Sequence, residues 1–240
     1  MTTPTSWNPS GQYQYFPLTG DLVAAAFARI QIRRAEILQE HLENARNEIN
    51  LLQISWSNLG PTLFTVELQT VALTGAAQTF PVDPSVVMIL DAYVSTANGD
   101  GTYSDRIIMP LSRTEWASTP NKLGVGSPTS FWFDRLYPLP TITLWPFPNG
   151  TSDASFSYYA FQQIQDANLS AQQTAQIPYL WLDAYVAGLA KRLSIIYPPP
   201  ARPVPVDYEA EALKAYNSAS MQGSENVPLY IAPATAPYYR

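Results

Sequence analysis

Near the start of the chain, between Asp21 and Leu59, apolar residues recur at the spacing of an α-helix, and this stretch contains neither Gly nor Pro. These apolar residues are Val23, Phe27, Ile30, Ile37, Leu38, Leu42, Ala45, Ile49, Leu52 and Trp56. Asp21 is a plausible N-cap, and Gly60-Pro61 ends the helical pattern. Because the apolar stripe is interrupted near Arg33-Arg34, the pattern predicts two successive helices instead of one long helix.

From Leu63 onward the period of the apolar residues changes to two, which is typical of a half-buried β-strand. Phe64, Val66 and Leu68 alternate with polar residues, and the parity slips at Thr70, as a β-bulge would produce. Further strands are predicted at residues 86–94, 103–111, 131–135, 141–145 and 155–161. The middle of the chain is therefore predicted to be a compact antiparallel β region.

Two local motifs add detail to this β region. The turn residues Asn98–Gly101 lie between two predicted strands and indicate a hairpin. Ser112 and Glu115 have the spacing of a capping box, which predicts a short helix around Trp116.

The helical period returns after the β region. Pro178 is predicted at a first helical position, and one apolar face then follows at Leu182, Val186, Leu189, Leu193 and Ile196. Lys191 and Arg192 lie towards the C-terminal end of this helix, where positive charge is favourable against the helix dipole. Pro198–Pro200 ends the helix, and a last helix is predicted from about Asp207 to Met221.

These elements together predict an α+β fold. Helices from both ends of the chain form a helical bundle, an antiparallel β domain is inserted between them, and an extended C-terminal tail follows. The predicted boundaries are residues 1–20 for an N-terminal arm, 21–60 and 177–222 for the bundle, 61–176 for the β domain and 223–240 for the tail.

The composition narrows the possible functions. Charged residues make up only 13% of the chain, about half the share usual in soluble domains, so association with other subunits is favoured. The net charge of −6 argues against a nucleic-acid site built on basic patches. The chain has no cysteine, no stretch resembling a secretory signal at its start, and no apolar run long enough to predict a membrane segment.

The residues that could carry chemistry do not form a recognisable site. His41 is the sole histidine and is interpreted as a solvated residue on a helix face. The stretch Thr96–Asp105 partly follows a calcium-loop rhythm but lacks the closing glutamate, and is interpreted as a turn. Carboxylate pairs such as Glu36 with Glu40, or Asp134 with Asp153, remain open as acid–base candidates. We therefore expect no enzyme activity, no cofactor and no metal site.

The tail is the one functional signal that the residues themselves supply. It carries an apolar cluster at Val227–Ile231 and a second one at Pro237–Tyr239, both interrupted or flanked by proline. Such a segment either covers its own domain or inserts into a groove of a partner. The sequence leaves both possibilities open.

Several local strings, in this order and spacing, resemble the head-to-tail adaptor proteins of short-tailed bacteriophages (podoviruses), also called tail accessory or packaged-DNA stabilisation proteins. The strings are Ala45–Leu52, Ser112–Trp116, Gly126–Thr129 running into Phe131–Arg135, Ile142–Pro148 and Leu189–Leu193. The resemblance extends from about Leu22 to Pro237, and Ile142–Pro148 is its most specific part.

The resemblance implies a structural virion protein that forms a homo-oligomeric ring, expected to be a dodecamer, beneath the portal. Such a ring connects the portal to a tail or nozzle protein and lines the channel through which DNA leaves, without binding the DNA specifically. It implies assembly in the host cytoplasm and a final location in the neck or tail of the virion. The portal-docking residues that it implies are Val227, Leu229, Tyr230, Ile231, Tyr238 and Tyr239.

Two other functions remain as alternatives at this stage. One is a virion-associated cell-wall hydrolase, which would need paired carboxylates in a cleft. The other is a neck protein of a long-tailed phage, whose partner below would differ.

Overall fold

A computed structural model describes residues 15–59, 63–73, 77–148, 150, 154–168, 173–200 and 205–222, and within these residues the fold is α+β, as predicted. The helices are α1 (Thr19–Arg29), α2 (Gln39–Leu59), α3 (Arg113–Ser118), α4 (Leu182–Ile196) and α5 (Tyr208–Gln222). The strands are β1 (Val66–Ala72), β2 (Thr79–Pro81), β3 (Val86–Ala97), β4 (Tyr103–Pro110), β5 (Ser130–Asp134), β6 (Thr141–Trp145) and β7 (Ala154–Gln162). Three single 3-10 turns lie at Arg34–Glu36, Leu63–Thr65 and Tyr179–Trp181.

The described strands form one seven-stranded sheet in the order β1-β7-β3-β4-β5-β6-β2. The prediction of a purely antiparallel β domain is wrong at one place, because β4 and β5 pair in parallel. They overlap only where Met109 and Pro110 lie beside Ser130 and Phe131. The connection containing α3 returns the chain to the end of β4, so β5 starts there and runs onward in the same direction. Apolar alternation predicts strands but not their direction.

Buried apolar residues form two clusters. Among the described residues, the sheet cluster extends from Val71 to Ala160, with Phe131, Leu144 and Phe156 among its largest members. The helical cluster combines α1 and α2 with α4 and α5, and includes Phe27, Ile49, Tyr185 and Leu189. The helical cluster is therefore assembled from both ends of the chain, whereas the sheet cluster is contiguous in sequence.

The predicted break between the first two helices is confirmed. α1 ends at Arg29, and Gln31 has a φ of 72°, a left-handed conformation that ends the helix. Asp21 is not the N-cap, because α1 already begins at Thr19, whose hydroxyl donates to the Gln173 carbonyl at 3.0 Å. Asp21 instead lies in the first turn of α1 and pairs with Arg34 at 3.3 Å.

The first predicted strand differs from the structure in two respects. Residues Leu63–Thr65 form a 3-10 turn, and β1 starts at Val66. No bulge occurs at Thr70, since β1 pairs with β7 without interruption from Val66 to Ala72. The bulges lie in β3, whose register with β7 shifts twice between Val86 and Ala92. The short strand β2 was not predicted, because three residues are too few to show a period.

The capping box and the short helix around Trp116 are confirmed. The Ser112 hydroxyl accepts from the Glu115 amide at 3.2 Å, and the Glu115 carboxylate accepts from the Ser112 amide at 2.7 Å. The helix α3 covers the outer face of β5, where Trp116 stacks on Trp132 with ring centroids 5.5 Å apart.

The helix α4 begins one turn later than predicted. Pro178 precedes the 3-10 turn at Tyr179–Trp181, and the α-helix starts only at Leu182. Of the predicted apolar face, Val186, Leu189 and Leu193 are buried in the helical cluster.

The helices α2 and α4 approach closely at Gly188. A Cβ atom on Gly188 would lie 3.1 Å from Cδ1 of Leu52, so the absence of a side chain permits this contact. No described helix combines the length and the hydropathy that crossing a membrane requires.

Candidate interaction site

The helix α5 is the last described element before the predicted docking tail in the sequence. It runs from Tyr208 to Gln222, and the Asp207 carboxylate caps its start by accepting from the amides of Glu209 and Ala210 at 3.0 Å each. The tail follows directly. The predicted docking residues lie outside the described residues: they are Val227, Leu229, Tyr230, Ile231, Tyr238 and Tyr239.

An aromatic cluster holds α5 against the rest of the helical bundle. Tyr216 of α5 contacts Trp56 of α2 and Trp181 before α4, with ring centroids 5.6 and 5.5 Å apart. Trp181 also contacts Phe64, which lies just before β1, at 5.5 Å. Burial in this cluster raises the pKa of Tyr216. Because these rings come from four segments of the chain, α5 is held both by the bundle and by the residue just before β1.

Polar contacts complete the attachment of α5. The Tyr208 hydroxyl donates to the Arg29 carbonyl at 3.2 Å, and Lys191 pairs with Glu209 at 2.7 Å. Arg192 pairs with Glu48 of α2 at 3.2 Å. Lys191 and Arg192 were predicted to interact with the dipole of their own helix, but they lie before its last turn and form ion pairs with neighbouring helices.

An apolar groove lies between α2, α4 and α5, and we call it the bundle groove. Its volume is about 360 Å³. Its floor includes Trp56 and Gly188, and its rim carries Leu59, Ile195 and Leu213, which are 67%, 75% and 59% exposed. Large apolar side chains with such exposure around one groove mark it as a candidate binding surface.

A second, polar pocket of about 720 Å³ lies on the other side of α5. It is bordered by α1 and α4, and its lining includes Arg29, Asp183, Glu211, Lys214 and Ser218. Arg29 and Asp183 form an ion pair across it. The two sides of α5 therefore differ in character, one apolar and the other charged.

The sheet also exposes apolar side chains that the sequence interpretation missed. The loop between β5 and β6 carries Leu136, Tyr137 and Leu139, and Tyr137 is 98% exposed. On β4, Ile107 and Met109 are exposed on the face opposite to buried Ile108. The signal for the loop was present in the sequence, since apolar residues occupy a position where turns usually carry polar ones.

The candidates for chemistry have structural roles in the fold. His41 is half-buried, where full solvation was predicted: its Nδ1 accepts from the Leu38 amide at 2.9 Å, and its ring lies 4.6 Å from that of Tyr197. Glu36 accepts from the Arg33 amide at 3.0 Å, and Asp134 pairs with Arg113 at 3.4 Å. Asp153 lies outside the described residues.

The loop that partly resembles a calcium site is a closed turn, as interpreted from the sequence. The Asp100 carboxylate accepts from the Thr102 amide at 2.9 Å, and the Thr102 hydroxyl lowers the pKa of Asp100 by hydrogen bonding. Asp105 accepts from the Ser95 hydroxyl. These carboxylate oxygens therefore accept hydrogen bonds within the turn and its flanking strands. Across the described residues, no group of three or more His, Asp or Glu side chains is arranged to hold a metal ion.

A sequence model of the SU10 adaptor protein family matches residues 18–234, so the chain belongs to this family. Membership makes the chain a structural head-to-tail adaptor protein of a phage-like particle, and a component of the virion. The sequence matches no curated protein. Among solved structures, one matching chain comes from the "Neck of empty GTA particle computed with C6 symmetry", with 13% identity. The match covers 84% of this chain and 93% of that chain, with a TM-score of 0.26, which is too low to support an inference about fold or assembly.

Proposed function

We propose that this chain forms the adaptor ring of a short-tailed phage, docks beneath the portal and connects it to the tail or nozzle. The observation that carries the proposal is the family match over residues 18–234, which spans the bundle, the sheet and most of the tail. Identical subunits with a repeated interface close into a ring, and twelve copies is the number that we expect.

In this proposal the bundle (residues 21–60 and 177–222) lies on the portal side, and the β domain (residues 61–176) faces the tail protein. The tail (residues 223–240) inserts between portal subunits through Val227, Leu229, Tyr230 and Ile231, with Tyr238 and Tyr239 beyond them. The contacts that hold α5 against the rest of the bundle support this assignment. The tail can transmit force only if the helix before it is held in place. Binding energy in interfaces is concentrated in a few buried anchor residues, among which tyrosine is enriched.

The ring surrounds the path of the genome. A net charge of −6 per chain gives the ring an acidic balance, which disfavours tight contact with DNA phosphates and lets the DNA pass without specific binding. The subunit is made in the host cytoplasm and ends in the neck of the virion.

The proposal is tested by mixing the purified chain with the portal ring of its phage and measuring the mass of the complex by light scattering. The full chain is compared with a chain truncated after Gly223. We expect the full chain to add a near-integral set of copies per ring and the truncated chain to add none, because the anchors are gone.

Two outcomes would contradict parts of the proposal. Equal binding of both chains would leave the adaptor function in place and remove the tail as the docking element. No binding of either chain would overturn portal docking. A matched control, Tyr238→Ser with Tyr239→Ser, separates the distal aromatic pair from the Val227–Ile231 cluster.

A further inference from the structure

We propose that in the free subunit the Val227–Ile231 segment lies in the bundle groove of its own chain, and that it leaves the groove when the subunit docks. The first part goes beyond the proposed function and does not depend on it. The second part, release on docking, rests on the proposed function.

The groove presents an apolar surface that the described residues leave uncovered. Leu59, Ile195 and Leu213 border it from three different helices, and Trp56 and Gly188 lie at its floor. The ionic groups beside it are already paired, Lys191 with Glu209 and Arg192 with Glu48. A ligand for this groove is therefore a short apolar segment, and it needs no charge of its own.

The chain supplies such a segment at a suitable distance. Val227–Ile231 begins five residues after the end of α5 and contains no charged residue. The groove lies beside the first half of α5, where Glu209, Ala212, Leu213 and Tyr216 contribute to its lining. From Gln222 back to Leu213 the helix rises about 13 Å, at about 1.5 Å per residue.

The length of the intervening chain matches this distance. Gly223 follows the last residue of α5 and can take the left-handed conformation that reverses a chain at a helix end. Ser224–Asn226 then spans roughly 10 Å if extended, at about 3.3 Å per residue. This places Val227 near the level of Tyr216, and Ile231 near the level of Glu209. Pro228 favours an extended backbone through the groove.

Because the Val227–Ile231 segment is joined to α5, even a weak affinity for the bundle groove is enough to keep the groove occupied. A segment joined by a short linker experiences a roughly millimolar effective concentration of its site. Occupation of the groove would cover the apolar residues of the tail before assembly. A portal pocket that binds the same residues more tightly would compete for them, so that the docking element is covered until its partner is present.

The absence of cysteine permits a direct test by disulfide trapping. The full chain carries Tyr230→Cys in the tail together with Ala212→Cys in the groove. The control carries Tyr230→Cys together with Ser218→Cys, which lies on the polar-pocket side of α5. The control cysteine is closer in sequence to Tyr230, so a tail with no preferred location would form the control disulfide at least as fast.

We expect the Ala212→Cys pair to form an intramolecular disulfide about tenfold faster than the Ser218→Cys pair. A second pair, Leu59→Cys with Leu229→Cys, repeats the test from α2. Equal rates, or a faster control, would overturn occupation of the groove. Disulfide-linked dimers in place of monomers would assign the groove to the tail of a neighbouring copy, and would also overturn the proposal.

Adding the portal ring to the reduced chains separates this inference from the proposed function. If the tail leaves its groove to dock, the rate of the Ala212→Cys pair falls when the portal is present. A fast disulfide, together with no portal binding by the unsubstituted chain, would support the groove and overturn the adaptor docking. Portal binding that leaves the disulfide rate unchanged would overturn release of the tail.

Discussion

The side chains of Gln53 and Tyr185 meet inside the helical cluster, where both residues are buried. Nε2 of Gln53 donates to the Tyr185 hydroxyl at 3.2 Å, while Oε1 of Gln53 has no hydrogen-bond partner among the described residues. Burial raises the pKa of Tyr185, so the folded protein keeps this hydroxyl neutral and loses stability as the pH rises above 10, the ordinary value of tyrosine. A buried polar pair of this kind is stabilising only while both members remain.

Tyr185→Phe is expected to lower the free energy of unfolding by about 1–3 kcal/mol, because it leaves the Gln53 amide without its acceptor. Adding Gln53→Met should recover part of that loss, since both polar groups are then absent. Urea denaturation of the two single variants and the double variant measures the effect. Strictly additive losses would show that the two side chains do not interact in solution.

At the scale of single residues, the sequence predicts local motifs better than it predicts contacts between distant residues. The capping box at Ser112 is a local motif with a fixed spacing, and it was found. The contact of His41 with Tyr197 joins residues far apart in the chain, and no local pattern indicates it. The same limit applies to Asn50, whose side chain donates to the Ala167 carbonyl and accepts from its amide.

Among the elements, α3 depends most on its own sequence, because it is only six residues long. Hydrogen bonds from the amide and the hydroxyl of Ser112 lower the pKa of Glu115 below its ordinary value of 4.5. A lowered pKa in the folded state contributes stability above pH 4.5, and this contribution is lost as the pH falls through the folded value.

Glu115→Gln is therefore expected to destabilise the stacked Trp116–Trp132 pair at neutral pH but not at acidic pH. The measurement is the near-ultraviolet circular dichroism of the pair during thermal unfolding, for both chains, from pH 7 to pH 3. The difference between the two chains should shrink steadily below pH 4.5. A difference that stays constant over this range would mean that the carboxylate does not act through its charge. Ser112→Ala serves as a companion variant, with an expected loss of about 1 kcal/mol.

The periods of α1, α2, β3, β5 to β7 and α4 could be predicted because each element buries several residues. Two features could not be predicted from the sequence, for physical reasons. The parallel pairing of β4 and β5 depends on where the α3 connection returns the chain, which no apolar pattern records. The bundle groove depends on how α5 lies across α2 and α4, and its rim residues Leu59, Ile195 and Leu213 lie outside the apolar stripes found in the sequence.

For the whole molecule, the distribution of exposed apolar residues is uneven. The bundle groove and the β5–β6 loop lie on the two different parts of the fold, the helical cluster and the sheet. An adaptor needs two distinct contacts, one for the component above and one for the component below. Under the proposed function, we expect the loop with Leu136, Tyr137 and Leu139 to contact the tail protein.

Replacing Leu136, Tyr137 and Leu139 with serine is expected to leave folding and portal binding unchanged, because all three side chains are exposed. Particles assembled with this variant should carry adaptor rings but no tails, as counted by electron microscopy. Tyr137→Phe, which keeps the apolar ring, is the matched control and should assemble normally. Tails on the triple variant at the normal frequency would refute the assignment of this loop.

The discontinuous helical cluster has a consequence for synthesis of the subunit. While the chain emerges from the ribosome, α1 and α2 are complete long before α4, which begins only at Leu182. The sheet cluster is contiguous in sequence and can form during that interval. The helical cluster cannot form until α4 has been synthesised. A nascent or prematurely terminated chain therefore lacks the complete helical bundle and the surface against which α5 packs. Completion of translation thus becomes a checkpoint, since only a full-length subunit has the complete bundle that the proposed ring requires.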